Sequence, residues 1–385
     1  MPEKLVEPFL KKTFFLALGH LVIDLYPAFL PALLPLWIEK FQFSFTRASL
    51  LAMAMSFSAS MTQPVFGYLS DKLGGRKMTI FGPLIGGLSL SFMGLAHSYS
   101  LLIILLILGG LGVASYHPEA AALTASLSGR RKTLGMSIFM LGGNFGYGLG
   151  PFLILSIIIG LGLEWSFLAC LPALGMAWLL YKYPPLVERG QSMSAPAGPK
   201  LSLSGNSRVI RFGVLLTIVV LRVTTILSLI TFLPMIQKLR GFSLMVAASS
   251  FTVFMACGAL GGLIGGYLSD RFGRKRIIIA SFTIILPAFL AFLYWRGPSS
   301  FAILALLGFL FFLSEPACIV LAQEMAPRKA RTVSGLIMGM SWGVAGLGVL
   351  GTGALADLMG IEGALRYLLL LPIGALILSF SLPRS

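Results

Sequence analysis

Four charged side chains stand inside long apolar runs of this sequence: Asp24, Glu119, Arg222 and Glu315, with His20 and His117 close to two of them. A charge in such surroundings is costly and is kept where it handles ions, protons or a solute. His20 and Asp24 are four residues apart and share a helix face. Imidazole changes charge near neutral pH, and a carboxylate beside it in an apolar setting can load and release a proton. Either group therefore suits proton coupling, and a histidine that merely bonds a neighbouring carbonyl is the plainer alternative. His117 and Glu119 are two apart and point to nearly opposite faces of a regular helix. Pro118 between them cannot donate to the carbonyl of Ala114, and a kink there could turn both inward. Otherwise Glu119 meets water or Arg130. Arg222 needs an acidic partner. Asp24, Glu119 and Glu315 are the candidates, and the expectation is a pair across the two halves of the chain, released by protonation.

Other chemistries are open to the same residues. His20, Asp24, His117 and Glu119 could bind a divalent ion, as a transported metal or in a metalloenzyme, although no resident metal and no cofactor are expected. No HExxH, nucleophile elbow or phosphate loop supports catalysis, so an enzyme is not expected. Arg222, His20 and His117 could instead contact an anionic solute.

The elements that must position these groups follow from composition. Of 385 residues, 57% are hydrophobic and 11% are charged, against about 25% charged in soluble domains. Such a chain cannot supply a polar shell. Apolar windows long enough to span a bilayer fall near 13–38, 48–70, 77–97, 99–122, 133–159, 164–182, 210–237, 244–269, 276–295, 299–322, 332–358 and 362–382. Each must be helical, because backbone polar groups cannot be left bare in lipid. The first window continues past Trp37 without a small-residue cleavage pattern and reads as a spanning helix rather than a signal peptide. Prolines 27, 31 and 35 predict that it is bent. Cys170, Cys257 and Cys318 lie apart in apolar runs and suggest neither a disulfide nor a zinc site.

Placing both termini in the cytoplasm puts 22 of the 29 Lys and Arg residues in cytoplasmic segments and six on the opposite side, leaving Arg222 within a span. That asymmetry sets the orientation. It also accounts for the net charge of +16 through an anionic leaflet, without nucleic acid. A multi-pass protein of the cytoplasmic (inner) membrane is expected, acting as a monomer, with a small-molecule substrate, protons and the lipid bilayer as its partners.

The chain repeats itself. Gly67-Tyr68-Leu69-Ser70-Asp71 recurs as Gly266-Tyr267-Leu268-Ser269-Asp270 at an offset of 199, each copy after the second window of its half. Glu315-Pro316 likewise matches His117-Pro118 at an offset of 198. The stretch 184–209, rich in Ser, Gly and Pro over most of its length, reads as a linker. It separates six-helix bundles over 1–183 and 210–385. Parallel six-helix repeats are a transporter plan, with substrate bound between the repeats.

These loops resemble the major facilitator superfamily signature between helices two and three. The second copy fits through Gly266, Asp270, Arg271, Gly273, Arg274 and Lys275; in the first, Gly75 stands where an arginine is expected, before Arg76 and Lys77. The segment Gly142-Gly143-Asn144-Phe145-Gly146-Tyr147-Gly148-Leu149-Gly150-Pro151 resembles the glycine-and-proline motif of the superfamily's antiporters. His20 to Asp24, Gln63 to Tyr68, Tyr116-His117-Pro118-Glu119 and Ser137 to Gly146 are similar to its fosmidomycin resistance branch, tightly over 20–151 and more loosely beyond. The resemblance implies twelve transmembrane helices in two pseudo-symmetric bundles, with spans one, four, seven and ten lining a cavity. All four intramembrane charges fall on those spans. It implies proton-driven drug efflux, with Gly67, Asp71, Arg76, Gly266, Asp270 and Arg274 in a conformational latch. Gly142, Gly146, Gly150 and Pro151 form a helix-packing face, and Asn144 bonds across helices or touches substrate.

Overall fold

The computed structural model describes residues 6–73, 75–127, 132–184, 205–326 and 336–383. Among the described residues all regular structure is helical. The chain begins with α1 (Val6–Leu25), α2 (Phe29–Phe41), α3 (Phe45–Met61) and α4 (Gln63–Leu73). Next come α5 (Gly75–Ser91), α6 (Tyr99–Leu127), α7 (Lys132–Leu161) and α8 (Leu171–Lys182). The second half holds α9 (Gly205–Leu239), α10 (Leu244–Phe272), α11 (Arg274–Tyr294), α12 (Ser300–Leu313) and α13 (Glu315–Met325). It closes with α14 (Ser341–Met359), α15 (Ile361–Leu368) and α16 (Leu370–Ser379). Most of the expected linker, 184–209, lies outside the described residues.

Eleven described stretches are long and apolar enough to cross a membrane. The twelfth crossing is α3 with α4, whose 17 and 11 residues are separated at Thr62. The breaks within other spans have local causes. α1 ends at Leu25 and α2 resumes at Phe29, because Pro27 has no N–H to give. Buried Tyr26 fixes this bend: its hydroxyl donates to the Ala169 carbonyl (3.1 Å) and accepts from the Ala173 N–H (2.9 Å). The bend expected from the prolines is therefore a complete interruption of the helix. Pro316 accompanies a similar break between α12 and α13 at Ser314.

By packing, the chain forms two compact units: Met1–Ala32 with Phe57–Ser194, and Leu33–Ser56 with Ala195–Ser385. The first unit is organised on the seam between α1 and α7. A methyl group added at Gly142, Gly146 or Gly150 would overlap the carbonyl oxygen of Ala17, Leu21 or Leu25 respectively. The four-residue spacing on both helices keeps their backbones in near contact along this face. In the second unit α10 and α12 meet in the same way, Gly261 and Gly265 lying against the carbonyls of Phe309 and Leu313. Here the Asp357 carboxylate also caps α3, accepting from the backbone N–H groups of Phe45 (2.6 Å) and Thr46 (2.9 Å).

The internal repeat is visible in packing. A Cβ at Gly67 would lie 3.8 Å from Pro118 Cβ, and a Cβ at Gly266 would lie 3.8 Å from Pro316 Cβ. The two copies thus place their glycine against the proline of the fourth or tenth span in the same manner.

Candidate functional site

His20 lies on the face of α1 that meets α7, and its ring stacks on Phe139 with centroids 4.0 Å apart. Its Nδ1 is 2.8 Å from the Phe139 carbonyl oxygen. A carbonyl only accepts, so Nδ1 carries the hydrogen. His117 on α6 is fixed in the same way, Nδ1 donating to the Val113 carbonyl at 2.7 Å. Buried Tyr116 ties α6 to α1 by donating to the Leu16 carbonyl at 2.9 Å.

With both Nδ1 positions committed, the two Nε2 atoms face each other and Asp24. His20 Nε2 is 3.1 Å from His117 Nε2 and 3.1 Å from Asp24 Oδ2; His117 Nε2 is 3.3 Å from Asp24 Oδ1. Were both imidazoles neutral, three lone-pair carriers would meet with no hydrogen among them. The arrangement is satisfied when at least one ring holds a proton on Nε2 and donates it. The cluster then carries a charge of −1, 0 or +1 as it holds no, one or two such protons. The side chain of His20 is 4% exposed, that of Asp24 18% and that of His117 21%, so the group is sheltered yet reachable. Gly143 leaves the room it occupies: a methyl group there would strike the His20 ring and Asp24. Three ligand atoms within 4.8 Å of one another could also hold a divalent ion.

The second unit holds a different centre. Arg222 on α9 is buried, donates from NH1 to the Phe311 carbonyl (3.2 Å) and lies 3.5 Å from Glu315 through NH2. Its acidic partner is therefore on α13 of its own unit, not across the halves as the sequence led us to expect. Asp24 plus 198 is Arg222, and His117 plus 198 is Glu315, so the two centres occupy matching places in the repeat.

Glu119 departs from the expected cluster. α6 runs on through Pro118, and the side chains of His117 and Glu119 go to separate places. Glu119 accepts from Ser70 Oγ at 2.5 Å and fills the space where a side chain at Gly75 would stand, at the start of α5. A carboxylate suits that helix end. The missing arginine in the first loop thus has a spatial reason. Arg76 donates to the Tyr181 carbonyl at 2.9 Å. The side chain of Asp71 falls outside the described part. In the second loop Arg274 bridges Glu324 (2.9 Å) and exposed Asp270 (3.6 Å). Asn144 is half-buried on α7, beside Gly143 but outside the bonds of the triad, and Pro151 is buried within α7.

Sequence reasoning missed the Phe139 and Val113 carbonyls and Glu324. No spacing signals them, because they sit on other elements. Gly143 had a signal within its glycine-rich run, and the pairing of Arg222 with Glu315 inside one half had one in their common offset of 198 from Asp24 and His117.

The sequence profile of the Major Facilitator Superfamily matches residues 16–350. The chain belongs to the Major Facilitator Superfamily. It is 31% identical over 373 residues to the fosmidomycin resistance protein of Escherichia coli (strain K12), covering 93% of this chain and 89% of that one. It is 28% identical over 379 residues to an MFS-type transporter, YfnC, of Bacillus subtilis (strain 168), covering 94% and 90%. A probable sulfoacetate transporter of Cupriavidus necator is 25% identical over 341 residues, covering 81% and 79%. Among solved structures, a bacterial homologue of the human lysosomal transporter Spinster superposes with a TM-score of 0.75 at 18% identity, covering 99% and 97% of the chains. The nucleoside transporter NupG gives 0.74 at 14% identity, covering 96% and 97%. These neighbours share the fold: twelve membrane helices in two pseudo-symmetric bundles. This MFS chain is a multi-pass membrane transporter and not an enzyme.

Proposed function

We propose that the chain exports small drug-like or amphiphilic molecules in exchange for protons by alternating access, and that His20, Asp24 and His117 carry the proton. The observation behind this reading is the closure of three acceptors on one another at 3.1–3.3 Å, a group that must take up positive charge to be satisfied. A ligand shifts a conformational equilibrium only through a difference in its interaction with the two states. Here the proton supplies that difference, because loading changes the charge of the sheltered cluster. Export is supported by the relative named for fosmidomycin resistance. The protein works as a monomer in the inner membrane with both termini cytoplasmic, in keeping with its Lys and Arg distribution.

The test is a proteoliposome assay under an imposed pH gradient. Protons should enter as substrate leaves, and Asp24→Asn should uncouple the two. Coupled transport that survives unchanged in Asp24→Asn sinks the proposal, and transport that requires a divalent ion redirects it to metal.

A second reading, transport of an anionic solute, draws on the relative named for sulfoacetate. The Arg222–Glu315 pairing weighs against it, because that arginine already has an acid at 3.5 Å.

A further inference from the structure

Three arginines gather around the end of α11, opposite the end that carries Arg274. Arg240, just past α9, lays its guanidinium over the Phe292 ring at 4.6 Å and donates from NH2 to the Phe292 carbonyl at 3.1 Å. Arg366 on α15 lies over Tyr294 at 5.9 Å. Arg296 follows α11 by two residues. Helix C-termini favour cations, which accounts for part of this gathering but not for its charge balance.

Among the described residues a single carboxylate contacts these arginines. Glu362 accepts from Arg296 at 2.6 Å and lies only 3.9 Å from Arg240 Nε. Arg366 is four residues on from Glu362 along the same helix face. Three guanidiniums and one carboxylate leave a surplus of two positive charges. The surplus is not all in water: the Arg240 side chain is 2% exposed, and its Nε and NH1 have no hydrogen-bond partner. Burial pushes the Arg240 guanidinium below its ordinary pKa; Glu362 opposes this and Arg296 adds to it. Buried donors without partners are costly, so these groups and the surplus charge favour an anion at this corner.

The neighbours say which kind. Tyr294, Trp295 and Tyr367 are exposed here at 68%, 56% and 52%. Exposed Tyr and Trp at the ends of membrane helices sit at headgroup level. The anion that meets a chain at that depth is a lipid phosphate, which guanidinium groups bind in a planar, forked geometry.

We propose that Arg240, Arg296 and Arg366, gathered on the end of α11, bind the phosphate of an anionic lipid at the membrane surface. The full chain is placed in phosphatidylcholine vesicles with and without phosphatidylglycerol, and its thermal unfolding is followed. The anionic lipid should raise the midpoint by about 3 °C or more. The exposed pair Arg296→Gln/Arg366→Gln should remove most of that rise while leaving the midpoint in pure phosphatidylcholine within about 1 °C. Arg240→Gln should reduce it further. An equal midpoint with and without phosphatidylglycerol overturns the proposal, as does a rise that persists in the double variant. Inorganic phosphate added to phosphatidylcholine vesicles should do nothing; if it reproduces the rise, the site takes a soluble anion and the lipid assignment fails.

Discussion

The two halves place opposite chemistry at the same pair of positions. In the first, Asp24 faces His117 at 3.3 Å; in the second, 198 residues on, Arg222 faces Glu315 at 3.5 Å. The negative member sits on the first span of one half and on the fourth span of the other. The difference that matters is titration. Each centre holds one carboxylate, so the difference lies in its partner: imidazole changes charge near neutral pH, whereas guanidinium does not. On the function proposed above the first centre is filled and emptied of protons through its imidazoles, while in the second the carboxylate faces one fixed positive charge. Duplication of a fold has yielded one carboxylate with imidazole partners and one with a guanidinium partner.

The comparison breaks most directly at Asp24. Asp24→Asn or His117→Gln should lower proton-driven transport about 100-fold or more, measured as substrate efflux under an imposed pH gradient. The equivalent change Glu315→Gln should leave a much larger fraction; an equal loss at both would show that the centres are not different in kind. Next in size is Gly143→Ala. Its methyl group must displace the His20 ring and Asp24, so coupled transport should fall about tenfold while Gly160→Ala, where the added group meets nothing, should be silent.

A smaller effect separates pairing from titration. Arg222→Met leaves Glu315 without its partner and should lower stability by about 1–3 kcal/mol, below the range for wholly buried pairs because Glu315 is partly exposed. Arg222→Met with Glu315→Met should regain at least half of that, read by thermal unfolding in detergent. The smallest effect is at the loop: Asp270→Asn removes an exposed carboxylate 3.6 Å from Arg274 and should change stability by less than about 0.5 kcal/mol.

What was readable beforehand follows a physical pattern. The crossings could be read because lipid demands apolar helices, and the repeat because Gly67 and Gly266 each face a proline of a later span. His20 and Asp24 could be joined because four residues make one helix face. His117 could not be added with certainty, since its partners lie on α1 and its bearing depends on how α6 continues through Pro118. Glu119 misled for the same reason: two residues from His117, it belongs to another site. Glu324 gave no sign, because its link to Arg274 exists only once α11 and α13 have packed. The Gly75 exception looked like a weakened motif and is instead the space that Glu119 takes.

The seam of Gly142, Gly146 and Gly150 against the carbonyls of Ala17, Leu21 and Leu25 has a mechanical consequence. At these three glycines no side chain separates the two backbones, so nothing there can act as a bearing. α1 and α7 should travel as a single beam, so the Phe139 carbonyl rides with the histidine it holds, and amide protons along this beam should be among the last in the chain to exchange with heavy water.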